Sequence, residues 1–187
     1  MKSQFLRVVK VGGSLLPLPD LSKRLLGWLD QQVPATNVLL VGGGKEVDQI
    51  RSESTVQHLD ESVAHWKCIE IMSANASELS KLMPSVPVQS HINFAPSHYP
   101  TIFLSASWLK MLEPLVNGTR LPESWDVTSD SIAARLAICL EADELVFLKS
   151  AEPPRRNLQE LADVGYVDKF LPKLAGELPP WRMVNLR

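Results

Sequence analysis

The sequence lacks any hydrophobic run near the ~20 residues that a membrane-spanning helix needs. Its two cysteines, Cys68 and Cys139, lie in apolar, helix-like stretches, so we expect small buried thiols rather than disulfides or metal ligands. The 19 Lys and Arg nearly balance the 21 Asp and Glu, and the net charge of −2 gives no reason to expect nucleic acid or an anionic membrane as a partner. We therefore expect a soluble, cytoplasmic protein.

Several common functional motifs are also missing. Gly42-Gly43-Gly44-Lys45 is followed by Glu46, so it does not match the G-x-x-x-x-G-K-[ST] phosphate loop. No G-x-G-x-x-G or G-x-S-x-G motif is present, and the four histidines have no metal-ligand spacing. These absences argue against a P-loop NTPase, a dinucleotide enzyme, a serine hydrolase and a metal held by the protein alone.

What the sequence does contain is three separated segments with groups that suit phosphate. They are Lys10-Val11-Gly12-Gly13-Ser14, Gly42-Gly43-Gly44-Lys45 and Asp126-Val127-Thr128-Ser129-Asp130-Ser131. Each ends a predicted strand or begins a predicted helix, and they supply glycine N–H donors, lysines, or a carboxylate able to order a lysine. A fourth strand end carries Lys149. Because parallel strands end at one edge of a sheet, these groups can converge, and together they indicate phosphoryl transfer.

Strand and helix patterns alternate along the chain. Strands are predicted over 5–11, 37–41, 86–89, 101–105 and 144–149, and helices over 20–32, after Gly44, over 60–83 and over 129–140. Residues 106–125 look irregular, and the tail from 155 shows only short elements at 158–162 and 166–171. This order predicts a single α/β domain over 1–187, a three-layer α/β/α sandwich with a mostly parallel central sheet.

Each candidate residue also has an ordinary structural interpretation. Lys10 could be a strand lysine beside a normal turn, and the three glycines could form a tight turn next to a solvated Arg51. Thr128 and Asp130 are good helix-capping types. His65, on the long helix, could be a structural or surface histidine. Residue types alone leave these alternatives open.

The ordered segments resemble the amino acid kinase superfamily. The resemblance rests on three stretches, which together cover most of residues 5–150: Lys10–Ser14, Gly42–Arg51 and Thr128–Lys149. A closer likeness is to the small uridylate-kinase-like group that includes [5-(aminomethyl)furan-3-yl]methyl phosphate kinase of methanofuran biosynthesis. It is carried by His65–Ile69, Ser124–Asp130 and Val167–Pro172.

The resemblance implies an ATP- and Mg²⁺-dependent kinase acting on a small, already phosphorylated metabolite, in that group an aminomethylfuran phosphate. It makes Lys10, Asp130 and Lys149 the catalytic residues, with Asp130 ordering the two lysines. The nucleotide phosphates would bind Gly12, Gly13, Ser14 and Lys149. The acceptor would bind Gly42, Gly43, Gly44, Arg51, His65, Asp126 and Thr128. Mg²⁺ would enter with the nucleotide, and a homodimer would form through the long helix.

One segment departs from the family pattern. Many members continue after the Lys149 strand with a Val-Asp-Gly-[IV]-Tyr type segment, whereas this chain has Ser150-Ala151-Glu152-Pro153-Pro154-Arg155-Arg156. We therefore predict a shortened C-terminal nucleotide part. An alternative is a non-catalytic member that binds a metabolite or partner with a degraded nucleotide site. A third reading is an α/β protein whose glycine turns are only structural.

Overall fold

Six strands form one sheet in the computed structural model, which describes residues 5–187 except for the side chains of residues 55–57. The strands are β1 (Leu6–Val11), β2 (Thr36–Val41), β3 (Val88–Gln89), β4 (Thr101–Phe103), β5 (Glu144–Lys149) and β6 (Trp181–Asn185). Their order across the sheet is β3-β4-β2-β1-β5-β6. All five strand pairings are parallel. The predicted parallel α/β architecture is confirmed.

The central strands are rich in Val and Leu because both faces of the sheet are covered. On one face, Val8, Leu40 and Phe147 pack in a core with Trp108 and Leu136. A second core forms on the other face; its members include Val9, Val41, Leu148, Leu21 and Leu25. The alternation along β1 sends successive side chains to opposite layers, which produces the three-layer sandwich.

Six helices connect and cover the strands within the described residues. They are α1 (Leu21–Asp30), α2 (Gly44–Gln57), α3 (Glu61–Leu82), α4 (Ala106–Met111), α5 (Ser129–Cys139) and α6 (Leu158–Asp163). The long helix was predicted over 60–83, and Asp60 caps it by accepting hydrogen bonds from the N–H groups of Ser62 and Val63. None of the described helices is long and apolar enough to span a membrane.

Two elements escaped the sequence prediction. The stretch from 106 to 125 was expected to be irregular, but it contains α4, whose Trp108 is fully buried. The tail contributes β6, which pairs with β5 at the edge of the sheet. The short element expected at 166–171 is instead a 3₁₀ turn over Leu171–Leu174.

The sheet order decides where chemistry can occur. Since β1 lies between β2 and β5, their carboxyl ends at Val11, Val41 and Lys149 are neighbours. The two glycine segments and Lys149 therefore meet at one edge, as the parallel-sheet argument predicts.

Candidate active site

A cleft of about 1200 Å³ opens at the carboxyl edge of the sheet. Every residue to which the resemblance assigns a catalytic or binding role lines it, with the exception of Gly42. Those that line it are Lys10, Gly12, Gly13, Ser14, Gly43, Gly44, Arg51, His65, Asp126, Thr128, Asp130 and Lys149. Ligand pockets commonly measure about 300–1000 Å³, so the cleft is large enough for two small substrates.

Three ionic side chains, Lys10, Asp130 and Lys149, form what we call the Asp130 cluster. Lys10 Nζ lies 2.9 Å from Asp130 Oδ1, and Lys149 Nζ lies 2.8 Å from Asp130 Oδ2. Asp130 is 4% exposed and Lys10 is 5% exposed. Lys10 comes from the middle sheet strand, Lys149 from the end of β5, and Asp130 from the first turn of α5. Burying a lysine on a strand is tolerable here because the carboxylate compensates its charge.

Electrostatics keep Asp130 ionised. Burial raises the pKa of the Asp130 carboxyl, but the charges of Lys10 and Lys149 outweigh it and hold the pKa at about 2. Burial also lowers the pKa of Lys149, an effect that the charge of Asp130 opposes. The arrangement places two ammonium groups around one carboxylate, beside a cleft that can admit an anion.

The two glycine segments touch each other, which explains why glycine is needed there. A Cβ atom on Gly13 would lie 2.1 Å from the backbone N of Gly44, well inside any allowed contact. Gly44 has a φ of +66°, a conformation that residues with side chains rarely adopt. Gly44 also begins α2, so the unpaired N–H groups of the first helical turn lie at the cleft, where they favour an anion.

Two of the predicted backbone donors are already engaged. The Gly12 N–H donates to the Leu148 carbonyl and the Gly42 N–H donates to the Val11 carbonyl, each at 2.9 Å. Both bonds continue the ladder of the parallel sheet beyond the strand ends. The prediction that Gly12 supplies an N–H to phosphate is therefore wrong. Gly12 and Gly42 instead shape the loops, and a Cβ on Gly12 would lie 2.8 Å from the Leu148 oxygen.

Arg51, on α2, and Trp125 form another part of the cleft wall. The Arg51 guanidinium carbon lies 5.1 Å from the centre of the Trp125 ring, and Nη2 donates to the Trp125 carbonyl at 3.4 Å. His65 is 6% exposed, and its Nδ1 lies 3.3 Å from the Ser124 carbonyl oxygen. Burial lowers the pKa of His65, which favours the neutral imidazole. Arg51 is exposed, as is Lys45 on the same helix, and both line the cleft.

The capping interpretation of Thr128 and Asp130 does not hold. Thr128 occupies the N-cap position of α5 but makes no side-chain capping bond, and its Oγ1 donates to Asp168 at 3.0 Å. The carboxylate of Asp130 binds the two lysines instead. Asp126 is exposed at the cleft, and its carbonyl accepts a hydrogen bond from the Phe170 N–H. On the opposite side, the hydroxyls of Ser14 and Ser150 lie 2.8 Å apart.

Three further residues of the cleft were not assigned a role from the sequence. Asn75 donates through Nδ2 to the carbonyls of both Gly42 and Gly43, at 2.9 Å each. The carbonyl of Tyr166 accepts a hydrogen bond from Lys149 Nζ at 2.9 Å. Asp168 contacts the start of α5. A polar residue facing the loops from a long helix could have indicated Asn75, but no local pattern indicated the other two.

The cysteines differ from expectation. Both are free and half-buried rather than buried, and Cys68 lines the cleft. Burial raises the pKa of the Cys68 thiol to about 11, which disfavours the reactive thiolate. Among the side chains that the structure describes, no group of three or more His, Cys, Asp or Glu residues could hold a metal ion.

Comparison with known proteins gives one family and one fold. The model of the amino acid kinase family matches residues 6–153. No curated protein matches the chain. The solved structure of UMP kinase from Ureaplasma parvum is similar with a TM-score of 0.61 and 14% identity, over 98% of this chain and 90% of that one.

Two other structures give the same picture. UMP kinase from Bacillus anthracis has a TM-score of 0.62 and 16% identity, over 98% of this chain and 88% of its own. Uridylate kinase from Archaeoglobus fulgidus has a TM-score of 0.58 and 16% identity, over 96% of this chain and 100% of its own. At these identities the likeness establishes the fold, and the shortened nucleotide part stays a prediction.

Proposed function

The chain belongs to the amino acid kinase family, and on that premise we propose that it transfers a phosphoryl group from ATP to a small metabolite that is already phosphorylated. The observation that carries the proposal is the Asp130 cluster: two lysines, from β1 and β5, held on one buried carboxylate between two glycine loops. A purely structural α/β protein has no need for this convergence of cations and helix N-terminal donors at one cleft.

The proposed division of the cleft follows from its two sides. Lys10, Lys149, Gly13 and Ser14 lie on the side of β1 and β5, and we assign them to the phosphates of the nucleotide. Gly43, Gly44 and Arg51 lie along α2, and we assign them to the acceptor. Because Gly13 and Gly44 are in contact, the two bound phosphates would meet over the Asp130 cluster.

Rate would come from alignment and charge neutralisation. An ionised acceptor phosphate needs no strong general base, since its oxygen is already a nucleophile. The bond between this oxygen and the transferred phosphorus forms as the bond to the leaving diphosphate oxygen breaks. Lys10 and Lys149 stabilise the charge on the transferred group, and Asp130 keeps both ammonium groups in place before the reaction begins.

The acceptor side supports an anionic substrate. Arg51 can bind a phosphate in a bidentate manner, and its guanidinium is held over the Trp125 ring. Among candidate acceptors we include UMP, the substrate after which two of the similar enzymes are named, and [5-(aminomethyl)furan-3-yl]methyl phosphate, implied by the narrower sequence resemblance. His65, Asp126 and Thr128 lie at the same side and would contact the acceptor beyond its phosphate.

We propose that Mg²⁺ enters with the nucleotide. Mg²⁺ commonly keeps several waters and binds one or two carboxylates plus substrate phosphates, so a dedicated protein cage is not required. The exposed Asp126 is available at the cleft for such a contact. When bound, the ion would neutralise charge on the transferred phosphoryl group.

Incubation with Mg-ATP and a panel of phosphate monoesters tests the proposal. We expect ADP release that depends on a phosphorylated acceptor, a diphosphate product in ³¹P NMR, and ATP binding by calorimetry. The Lys10→Met variant should reduce turnover strongly, and the surface variant Glu70→Ala, outside the cleft, should not. Absence of both turnover and ATP binding would contradict the proposal. If phosphate esters protect the protein thermally while ATP does not, the non-catalytic alternative is correct.

A homodimer and a cytoplasmic location are further predictions of this assignment. The exposed residues of α3 are Glu61, Val63, Lys67, Glu70, Ala74, Ser77, Glu78, Lys81 and Leu82. An interface through this helix would therefore be largely polar. Light scattering on the purified chain measures the mass, and a monomer at micromolar concentration would contradict the dimer.

A further inference from the structure

Residues 166–171, which we call the brace, lie outside the segment matched by the family model, and residues 166–169 line the cleft. The brace contacts three parts of the candidate active site. The Tyr166 carbonyl accepts a hydrogen bond from Lys149 Nζ at 2.9 Å, and the Phe170 N–H donates to the Asp126 carbonyl at 3.0 Å. Between them, Asp168 contacts the start of α5. The brace therefore joins β5, the loop before α5, and α5 itself.

The Asp168 carboxylate accepts hydrogen bonds from five groups. Three are backbone N–H groups, those of Thr128 at 2.9 Å, Ser131 at 2.9 Å and Leu171 at 3.0 Å. Two are hydroxyls, Thr128 Oγ1 at 3.0 Å and Ser131 Oγ. Asp168 is 9% exposed, so these protein donors replace water around its carboxylate. In effect, Asp168 caps α5 from a distant part of the chain.

This contact bears directly on Asp130. Thr128 and Ser131 flank Asp130 in the first turn of α5, and Thr128 provides no cap of its own. The direction in which Asp130 projects therefore depends on how the two flanking residues are held. Lys149, the other end of the ion pair, is held by the brace through Tyr166.

We propose that Asp168 is a positioning residue, which fixes the first turn of α5 so that Asp130 reaches Lys10 and Lys149 together. The proposal deepens the kinase assignment above and rests on it. Asp168 would act through Asp130, since its carboxylate is taken up by the five donors at the start of α5 and at Leu171. Its contribution is to keep the two ammonium groups where a transferred phosphoryl group would meet them, and small misplacements of such groups are costly to rate.

The Asp168→Asn variant tests this role because it keeps the size of the side chain. An amide has one carbonyl oxygen, and its NH₂ group would face N–H donors, so several of the five contacts cannot form. We expect kcat to fall by about 10- to 100-fold with a smaller change in the KM for ATP. The matched control is Asn157→Ala. Asn157 Oδ1 caps α6 in the same tail by accepting from the Gln159 N–H at 2.7 Å, and it does not line the cleft. This control should lower stability and leave kcat unchanged.

A second readout does not depend on turnover. In protein labelled with ¹³C at lysine, the side-chain signals of Lys10 and Lys149 report their contact with Asp130. We expect these signals to shift in Asp168→Asn and not in Asn157→Ala. If Asp168→Asn does not fold, Ser131→Ala removes a single donor and should give a smaller change in the same signals and the same direction in kcat.

The results distinguish a failure of the Asp168 proposal from a failure of the kinase assignment. A folded Asp168→Asn protein with unchanged kcat and unchanged lysine signals overturns the proposal. Equal losses of kcat in Asp168→Asn and Asn157→Ala, in proportion to lost stability, would also overturn it, because they indicate a merely structural cap. If the unsubstituted protein neither binds ATP nor turns over, the kinase assignment fails, and the lysine signals still decide whether Asp168 positions Asp130.

Discussion

The two ends of β1 carry ionic clusters of the same composition, in which two cations surround one carboxylate. At the amino end Arg7 and Arg182 contact Glu144, at 2.5 and 2.7 Å, and we call this the Glu144 cluster. At the carboxyl end lies the Asp130 cluster. Both include a buried side chain from β1, yet only the Asp130 cluster lines the cleft. Composition alone therefore does not identify a functional site.

The difference lies in how the remaining donors are used. Arg7 also donates to Asn37 Oδ1 at 3.0 Å, and Arg182 donates to Gln32 Oε1 at 2.7 Å, so the protein itself occupies both guanidinium groups. An ammonium group has three N–H donors, and Asp130 is the ion-pair partner of Lys10 among the described residues. The Glu144 cluster is thus closed, whereas in the Asp130 cluster Lys10, which lines the cleft, has N–H donors beyond its ion pair with Asp130.

The largest expected effect comes from removing the carboxylate of the Glu144 cluster. Glu144→Leu should lower the free energy of unfolding by about 3–5 kcal/mol, because Arg7, 1% exposed, would lose its compensating charge. Activity per folded molecule should not change. Denaturant unfolding measures the loss. The control is Glu78→Ala, which breaks an exposed pair with Lys81 and should change stability by less than about 1 kcal/mol. Equal losses of unfolding free energy in the two variants would mean that the buried Arg7–Glu144 pair contributes no more than the exposed Glu78–Lys81 pair.

Removing a cation from the Asp130 cluster should have the reverse effect, with a larger loss of activity than of stability. Lys10→Met should reduce kcat/KM by about two orders of magnitude, roughly 3 kcal/mol of transition-state stabilisation. Stability should fall less than in Glu144→Leu, because Asp130 keeps Lys149 as a partner. Arg182→Met, the matching change in the Glu144 cluster, should retain kcat. ADP release and denaturant unfolding are measured on both variants. If Lys10→Met and Arg182→Met lose the same activity, the two clusters do not differ in function.

The sequence predicted much of this arrangement because it depends on backbone periodicity. The sequence pattern located five of the six strands near their observed positions, and strand order then brought Lys10 and Lys149 together. By contrast, β6 has half-exposed side chains and joins the sheet through backbone pairing with β5, so it leaves no apolar pattern. The helix α4 has only six residues, too few for periodicity to show.

Within the site, the long-range hydrogen bonds could not be predicted from the sequence. Whether the Gly12 N–H is free depends on the register of β5, which places the Leu148 carbonyl 2.9 Å away. Asp168 lies in a segment of mixed composition, and its partners are fixed only when the tail folds back on α5. Residue types indicated phosphate chemistry, while packing determined which groups remain available for it.

Acid should remove the stability contributed by the Asp130 cluster in a pH range that the pKa of Asp130 sets. Because the pKa of Asp130 is about 2 in the folded protein, below its ordinary value of 3.8, the stability it contributes is fully present above about pH 4 and is lost as the pH falls toward 2. The loss should be roughly 2 kcal/mol. Burial raises the pKa of Asp168, an effect that the charge of Asp130 reinforces, so Asp168 has the opposite effect on stability as it protonates.

A residue-specific measurement separates these two carboxyls. The ¹³C carboxyl signal of Asp130 should titrate near pH 2, and in Lys10→Met its midpoint should rise, since one of the two compensating charges is lost. In Arg182→Met the Asp130 midpoint should not move, because that arginine belongs to the other cluster. A midpoint near 4 in the unsubstituted protein would contradict the tight pairing of Asp130 with both lysines.

The smallest expected effect concerns the glycine loops beside the Asp130 cluster, which have no counterpart at the Glu144 cluster. Asn75 Nδ2 donates to the carbonyls of Gly42 and Gly43, so it fixes the direction of the peptide groups that precede α2. In Asn75→Asp a carboxylate would face both carbonyl oxygens and repel them, and we expect the KM for the acceptor to rise about 10-fold with little change in kcat. The control is Ser77→Ala on the same helix, whose exposed hydroxyl donates to the Ser73 carbonyl. If steady-state kinetics give both variants the same acceptor KM, Asn75 does not shape the loop, and the difference between the two ends of β1 lies in the lysines alone.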